Sequence, residues 1–230
     1  MASGVRPPLI CPAALRATAA LIAALLGTAA SAAPLGVEVR SGGQPVDGAV
    51  VTLSPIGRSA TPAPVDAVMD QVGSEFRPRV LAVPKGSRVA FPNSDRIRHQ
   101  VYSFSPAKRF ELPLYTGTPP NPVVFDRAGV VTLGCNIHDW MKGYIVVVDT
   151  PHYAVSGADG RVTLEAPPGD YQLTAWHERL PTLDAAPKRT VTLPMDVPAT
   201  LELPLSAPPP PRGSERLRAL QDKFRQPPRD

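Results

Sequence analysis

The chain has 230 residues, 43% of them hydrophobic, with 30 prolines and 17 glycines. That length supports one large or two small cores, and that proline content excludes a helical protein, because proline removes a backbone donor and interrupts helices. A formal charge of +4 gives no case for nucleic acid as a partner.

Residues 1–32 read as a secretory signal. Arg6 and Arg16 supply positive charge, Ala17 to Gly27 is a short apolar run, and Ala30-Ser31-Ala32 has the small-x-small form of a cleavage site. The run is too short to span a bilayer comfortably, so cleavage and export are expected, with no stable membrane anchor. Cleavage discards Cys11 and leaves 22 basic against 20 acidic residues, with Cys135 as the remaining cysteine.

Val37 and Val39 alternate with Glu38 and Arg40, Ser41 to Gln44 turns, and Ala49 to Leu53 is a second apolar run. These predict a hairpin within 33–65, followed by a linker rich in Ala, Pro, Ser and Thr. From 66 to 150 the strands are short and closely spaced: Val80–Val83, Arg88–Phe91, a segment from His99 through Phe104, Val123–Phe125, Val130–Leu133 and Tyr144–Val148. A second β region runs from 151 to 206, with turns at Ala158-Asp159-Gly160 and Pro167 to Asp170. Residues 207–230 begin with a proline-rich linker, after which Ser214 would cap an expected short helix carrying Leu217, Leu220 and Phe224. The basic excess of this tail would steer an acidic partner weakly.

The chemistry lies in Cys135-Asn136-Ile137-His138-Asp139-Trp140-Met141, which sets a thiolate, an imidazole and a thioether within one short segment. These are ligand types that a soft transition metal such as copper selects. A one-electron copper site needs a geometry acceptable to both oxidation states, and two histidines, a thiolate and a weak axial thioether supply it. His99, 36 residues before Cys135 and at the start of an earlier strand, is the candidate for the second histidine. Zinc fits the ligand types too, although its structural sites favour more thiolates or histidines and rarely use methionine. His152 and His177 stand beside Tyr153 and Trp176 near strand edges and read as half-buried packing. Asp139 reads as a turn cap, Trp140 as a screen over the metal or a partner contact, and Tyr144 as core.

Pro92-Asn93 to His99-Gln100-Val101, followed by Cys-x-x-His-x-x-Met at Cys135, His138 and Met141, resembles the blue copper proteins, or cupredoxins, and in its short ligand loop is most similar to the amicyanins. Phe76-x-Pro78, Gly86-x-x-Val89 and Gly129-x-Val131 match plastocyanin-like positions, and the stretch 66–150 looks like the proteins labelled methylamine utilisation protein. The resemblance implies His99, Cys135 and His138 as equatorial ligands and Met141 as the axial one, with one copper per chain. It departs at Gln100, where many cupredoxins have an asparagine that braces the ligand loop. Pro45 to Val51, Asp159-Gly160-Arg161-Val162 and Pro168-Gly169-Asp170-Tyr171 look like pieces of a carboxypeptidase-regulatory or transthyretin-like sandwich.

The expected fold is therefore all-β: a cupredoxin Greek-key β-sandwich combined with a second, split, small β-sandwich, although a hairpin added to the cupredoxin plus a separate C-terminal domain reads the same in sequence. The expected function is a periplasmic blue copper protein carrying single electrons between redox protein partners, not an enzyme. Copper storage or delivery is the rival reading, disfavoured because Met69, Met141 and Met195 are the only methionines beyond the leader. A cell-envelope binding module with a vestigial metal site is the third.

Overall fold

Leu35, Val37 and Val39 are buried while their neighbours are not, and this period of two makes β1 (Ala33–Ser41) a strand with one face on a core. The computed structural model describes residues 32–182 and 185–207. The leader segment with Cys11 and the tail with Ser214, Leu217, Leu220 and Phe224 lie outside the described residues. In chain order β1 is followed by β2 (Gln44–Pro45), β3 (Val50–Pro55), β4 (Asp66–Val68), β5 (Asp70–Gln71), β6 (Phe76–Arg77), β7 (Val80–Pro84), β8 (Ser87–Ala90), β9 (His99–Ser105), β10 (Lys108–Tyr115), β11 (Val123–Phe125), β12 (Gly129–Cys135) and β13 (His138–Val148). After these come β14 (Tyr153–Val155), β15 (Arg161–Ala166), β16 (Gly169–Trp176), β17 (Lys188–Leu193) and β18 (Ala199–Glu202), and no α-helix is present among the described residues.

The all-β expectation is borne out, and the second sandwich is split in sequence. Its one sheet has the order β15-β1-β18 with β2 on β1, the other β14-β3-β16-β17. Val37, Val51, Leu53, Leu164, Tyr171, Leu173 and Leu201 are buried in the shared core. The hairpin expected in 33–65 is reduced to the pairs Arg40↔Pro45 and Ser41↔Gln44, and β3 crosses to the opposite sheet, where it pairs with β14 and β16. Gly48, at φ 74°, lies in the stretch where the chain leaves the first sheet.

The intervening strands build the first sandwich from a five-stranded sheet, β10-β9-β12-β13-β7, facing a three-stranded one, β11-β8-β4. Phe76, Phe91, Phe125, Leu133, Met141 and Ile145 fill its core. The other face of β13 packs on the second sandwich. Val146 and Val148 meet Val50, with Val80, Ala82, Tyr153 and Trp176 around them, and the Tyr144 and Trp176 rings lie 5.5 Å apart. Burial of a valine such as Val50, Val146 or Val148 contributes about 1.5–3 kcal/mol, and the Arg79–Glu178 ion pair closes the edge of the seam.

His177 follows β16 into this region, is 7% exposed, and accepts the Arg179 backbone N–H at Nδ1 (3.1 Å). Burial, opposed by the Glu178 charge, holds its pKa below the ordinary value of 6.5. The folded state thus prefers neutral His177, so its contribution is complete above about pH 6.5 and is lost as the pH falls, because the unfolded chain takes up the proton first. The melting temperature is expected to drop between pH 7 and pH 5, with a smaller drop in His177→Gln; parallel curves for the two proteins would refute this.

Candidate metal centre

Strands β12 and β13 run further than their apolar cores suggest. The ladder continues through Leu133↔Gly143 and Gly134↔Lys142, then shifts register so that Cys135 faces His138 across the two-residue turn Asn136-Ile137. A bulge at the end of a ladder re-aims the side chains beside it. The cluster expected on a loop tip therefore sits on two strand ends, and the ladder rather than the exposed Asp139 closes the turn.

The structure brings three of the four candidate side chains onto one point. The Nδ1 atoms of His99 and His138 each lie 3.9 Å from Cys135 Sγ, and the three donor atoms all fall within 4.8 Å of one another. A metal with bonds of about 2.3 Å to sulfur and 2.0 Å to nitrogen at trigonal angles needs sulfur–nitrogen separations of about 3.7 Å. The arrangement fits that requirement. His99 is 0% exposed and Cys135 3%, and Cys135 is a free thiol. Met141 is fully buried in the same core cluster as Cys135 and lines the same cleft of about 440 Å³. The His138 ring is half-buried, with its centroid 5.0 Å from that of His99 on one side and 5.0 Å from that of Trp140 on the other. Trp140 and Ile137 are each 49% exposed, so the site has an apolar rim.

His152 and His177 are not part of the cluster. The His152 ring stands edge-on to Tyr171 at 5.8 Å, which is packing.

The bracing differs from what Gln100 suggests. Its amide donates to Glu111 Oε1 (2.6 Å) on the neighbouring strand and does not serve the ligand turn. Asn93 does the pinning: its Nδ2 donates to the carbonyls of Ile97 (2.9 Å) and Tyr115 (2.8 Å), and its Oδ1 accepts the Asp95 N–H (3.0 Å). Tyr115, paired with His99 on the ladder, donates its hydroxyl to the Phe91 carbonyl (2.6 Å). Its pKa is pushed up to about 12, chiefly by burial, so the phenol stays neutral.

Asp95, outside the expected ligand set, touches a candidate ligand directly. Its Oδ2 lies 2.8 Å from His99 Nε2. Burial raises the Asp95 carboxyl pKa, but the Ser74 and Gly73 backbone donors and the His99 imidazole outweigh it and hold the group below the usual value. An ionised carboxylate only accepts, so Nε2 is the nitrogen that donates to it, and Nδ1 is the one turned toward the thiol.

No protein-family model and no curated protein matches the chain. Among solved structures, it is similar to a purple cupredoxin from Nitrosopumilus maritimus, with 25% identity over 36% of this chain and 100% of that one and a TM-score of 0.32. It is similar to a copper-containing nitrite reductase from Thermus scotoductus at 28% identity over 42% of this chain, with a TM-score of 0.34, and spans 25% of the reductase. An oxidized amicyanin variant is similar at 20% identity over 44% of this chain and 100% of that one, with a TM-score of 0.33. Each similarity covers less than half of the chain, and the reading of the site rests on its own donor geometry.

Proposed function

We propose that the chain holds one copper ion through His99 Nδ1, Cys135 Sγ and His138 Nδ1, with Met141 as the weak axial ligand, and acts as a one-electron carrier between redox protein partners in the periplasm. The observation that carries this reading is the convergence of two imidazole Nδ1 atoms on one buried thiol at 3.9 Å each. Bound by such a set, copper supplies a Cu(I)/Cu(II) couple in a geometry that suits both states. The chain's own residues keep that geometry fixed. His99, Cys135 and Met141 are held in a packed core that excludes water, and a rigid donor set lowers the rearrangement that accompanies electron transfer. His138, between buried His99 and exposed Trp140, offers an exit to a partner docked on the apolar rim. Export rests on the leader-like residues 1–32, which would place the lone thiol outside the cytoplasm.

Titration of the purified protein with Cu(II) tests the reading. An intense visible thiolate-to-copper absorption saturating at one equivalent, with a reversible one-electron wave, is expected. Absence of the band sinks the proposal, and Cu(I) hand-over to an acceptor without a reversible wave would favour delivery instead. Met141→Leu is expected to keep the colour and shift the potential, because an axial thioether tunes the metal more than it anchors it; complete loss of copper binding in this variant would overturn the axial assignment.

A further inference from the structure

The β5–β6 connection is a two-residue hairpin in which Val72 N–H donates to the Glu75 carbonyl (3.0 Å) and Glu75 N–H donates to that of Val72 (3.3 Å). Its central residues, Gly73 and Ser74, have φ of 64° and 57°. Two positive φ values in succession suit a hairpin turn, but a non-glycine residue there is strained. Ser74 is the only non-glycine residue with positive φ among the described residues.

That conformation turns two successive N–H groups outward onto one carboxylate. Gly73 N–H donates to Asp95 Oδ1 (2.7 Å) and Ser74 N–H to Asp95 Oδ2 (2.8 Å), and Oδ2 is also the atom that meets His99 Nε2. Adjacent N–H groups arranged in this way form an anion-binding concavity. The neighbouring Asp70 fastens the same loop from the other side, accepting the Ser94 hydroxyl at Oδ2 (2.7 Å) and the Ser94 N–H at Oδ1 (3.3 Å). The strained turn and the imidazole thus donate to one carboxylate, and the other nitrogen of that imidazole faces the thiol.

We propose that Asp95, clamped by the Gly73-Ser74 turn, is the positioning residue of this site: it fixes His99 as the Nε2–H tautomer, holds Nδ1 on the metal position and, through its charge, lowers the reduction potential. The last part rests on the copper reading; the tautomer does not. A carboxylate behind a ligating imidazole orients the ring and raises its basicity, and removal of such a partner costs about 10–100-fold in metal affinity. Raised basicity favours the more highly charged metal state, so the potential is expected to rise when the charge is removed. Asp95→Asn keeps an oxygen acceptor. Its amide oxygen best occupies the position of Oδ2, where Ser74 and His99 both donate, so the tautomer is retained while the charge is lost.

The test uses the full chain with and without copper. In the copper-free protein, long-range ¹H–¹⁵N correlation is expected to show His99 protonated at Nε2 in the wild type and in Asp95→Asn, and a tautomer mixture in Asp95→Ala. In the copper-loaded protein, Asp95→Ala is expected to lose about 10–100-fold in Cu(II) affinity, Asp95→Asn less, and both to show a higher potential. A wild-type His99 protonated at Nδ1, or a potential unmoved in Asp95→Asn, overturns the proposal. Should Asp95→Ala fail to fold, the wild-type tautomer and the Asn variant still decide. An Nε2–H tautomer in a protein that binds no copper would fault the copper reading and leave the positioning role standing.

Discussion

Cys135→Ser is expected to abolish the visible charge-transfer band of the copper-loaded protein while leaving the fold intact. A hydroxyl and a thiol are close in size, and Cys135 ends a strand whose ladder is made by backbone groups, so the substitution disturbs little packing. The electronic consequence is large. The band requires a sulfur anion bound to the metal, and Cys135 is the only cysteine among the described residues. A serine hydroxyl stays protonated in the pH range where a metal lowers a thiol's pKa enough to bind it. The two imidazoles, each with a ring nitrogen within 4.8 Å of the other's, still offer nitrogen donors, so weak Cu(II) binding with only a faint, nitrogen-type spectrum is expected to remain. The buried hydroxyl loses part of its solvation, a cost of about 1–3 kcal/mol that shows as a modest drop in melting temperature. A band of wild-type intensity in the serine variant would remove Cys135 from the ligand set.

The candidate ligands were legible in the sequence because they carry their chemistry in side chains at short spacing, and because His99 opens a strand recognisable from the alternation of Val101 with its neighbours. The all-β class was legible for the same reason of alternation and turn residues. What was missed shares a physical cause. Strand β10 is absent from the expected strands; it carries Pro113 and lies at a sheet edge, where the register shifts between Leu112 and Tyr115 and a missing donor is tolerated. The crossing of β3 into the other sheet depends on pairings with β14 and β16, roughly a hundred residues on, that no local pattern encodes. The Asp95 clamp was invisible because its donors are backbone N–H groups of Gly73 and Ser74, distant in sequence and made available by a backbone angle rather than a residue type. Gln100, by contrast, drew attention as a departure from the usual pattern, and its side chain simply pairs along the sheet with Glu111.

Phe76→Ala is expected to be the most damaging single truncation near the site, at about 3–5 kcal/mol, a large share of the roughly 5–15 kcal/mol that keeps a domain folded. Phe76 is 1% exposed and its ring is packed against Gly143 of β13, so tightly that a Cβ at 143 would come within 2.8 Å of Phe76 Cβ and 3.0 Å of the ring. The ring thus needs a glycine opposite it, and β13, pinned on both sides by β12 and β7, cannot move inward to fill the space a truncation leaves. Phe76 also opens β6, directly after the turn that grips Asp95. A loosened Phe76 anchor therefore reaches the His99 ring through that turn. Urea unfolding of the copper-free protein should show a lower midpoint at unchanged slope, together with broadening of the His99 ring signals. Gly143→Ala should cost about 1–3 kcal/mol by overpacking and should not rescue the truncation, since the closest contact is with the Cβ that alanine at 76 retains. A midpoint shift that, multiplied by the unchanged slope, amounts to less than about 1 kcal/mol in Phe76→Ala, well below that range, would show that the β5–β6 hairpin is held by its hydrogen bonds alone.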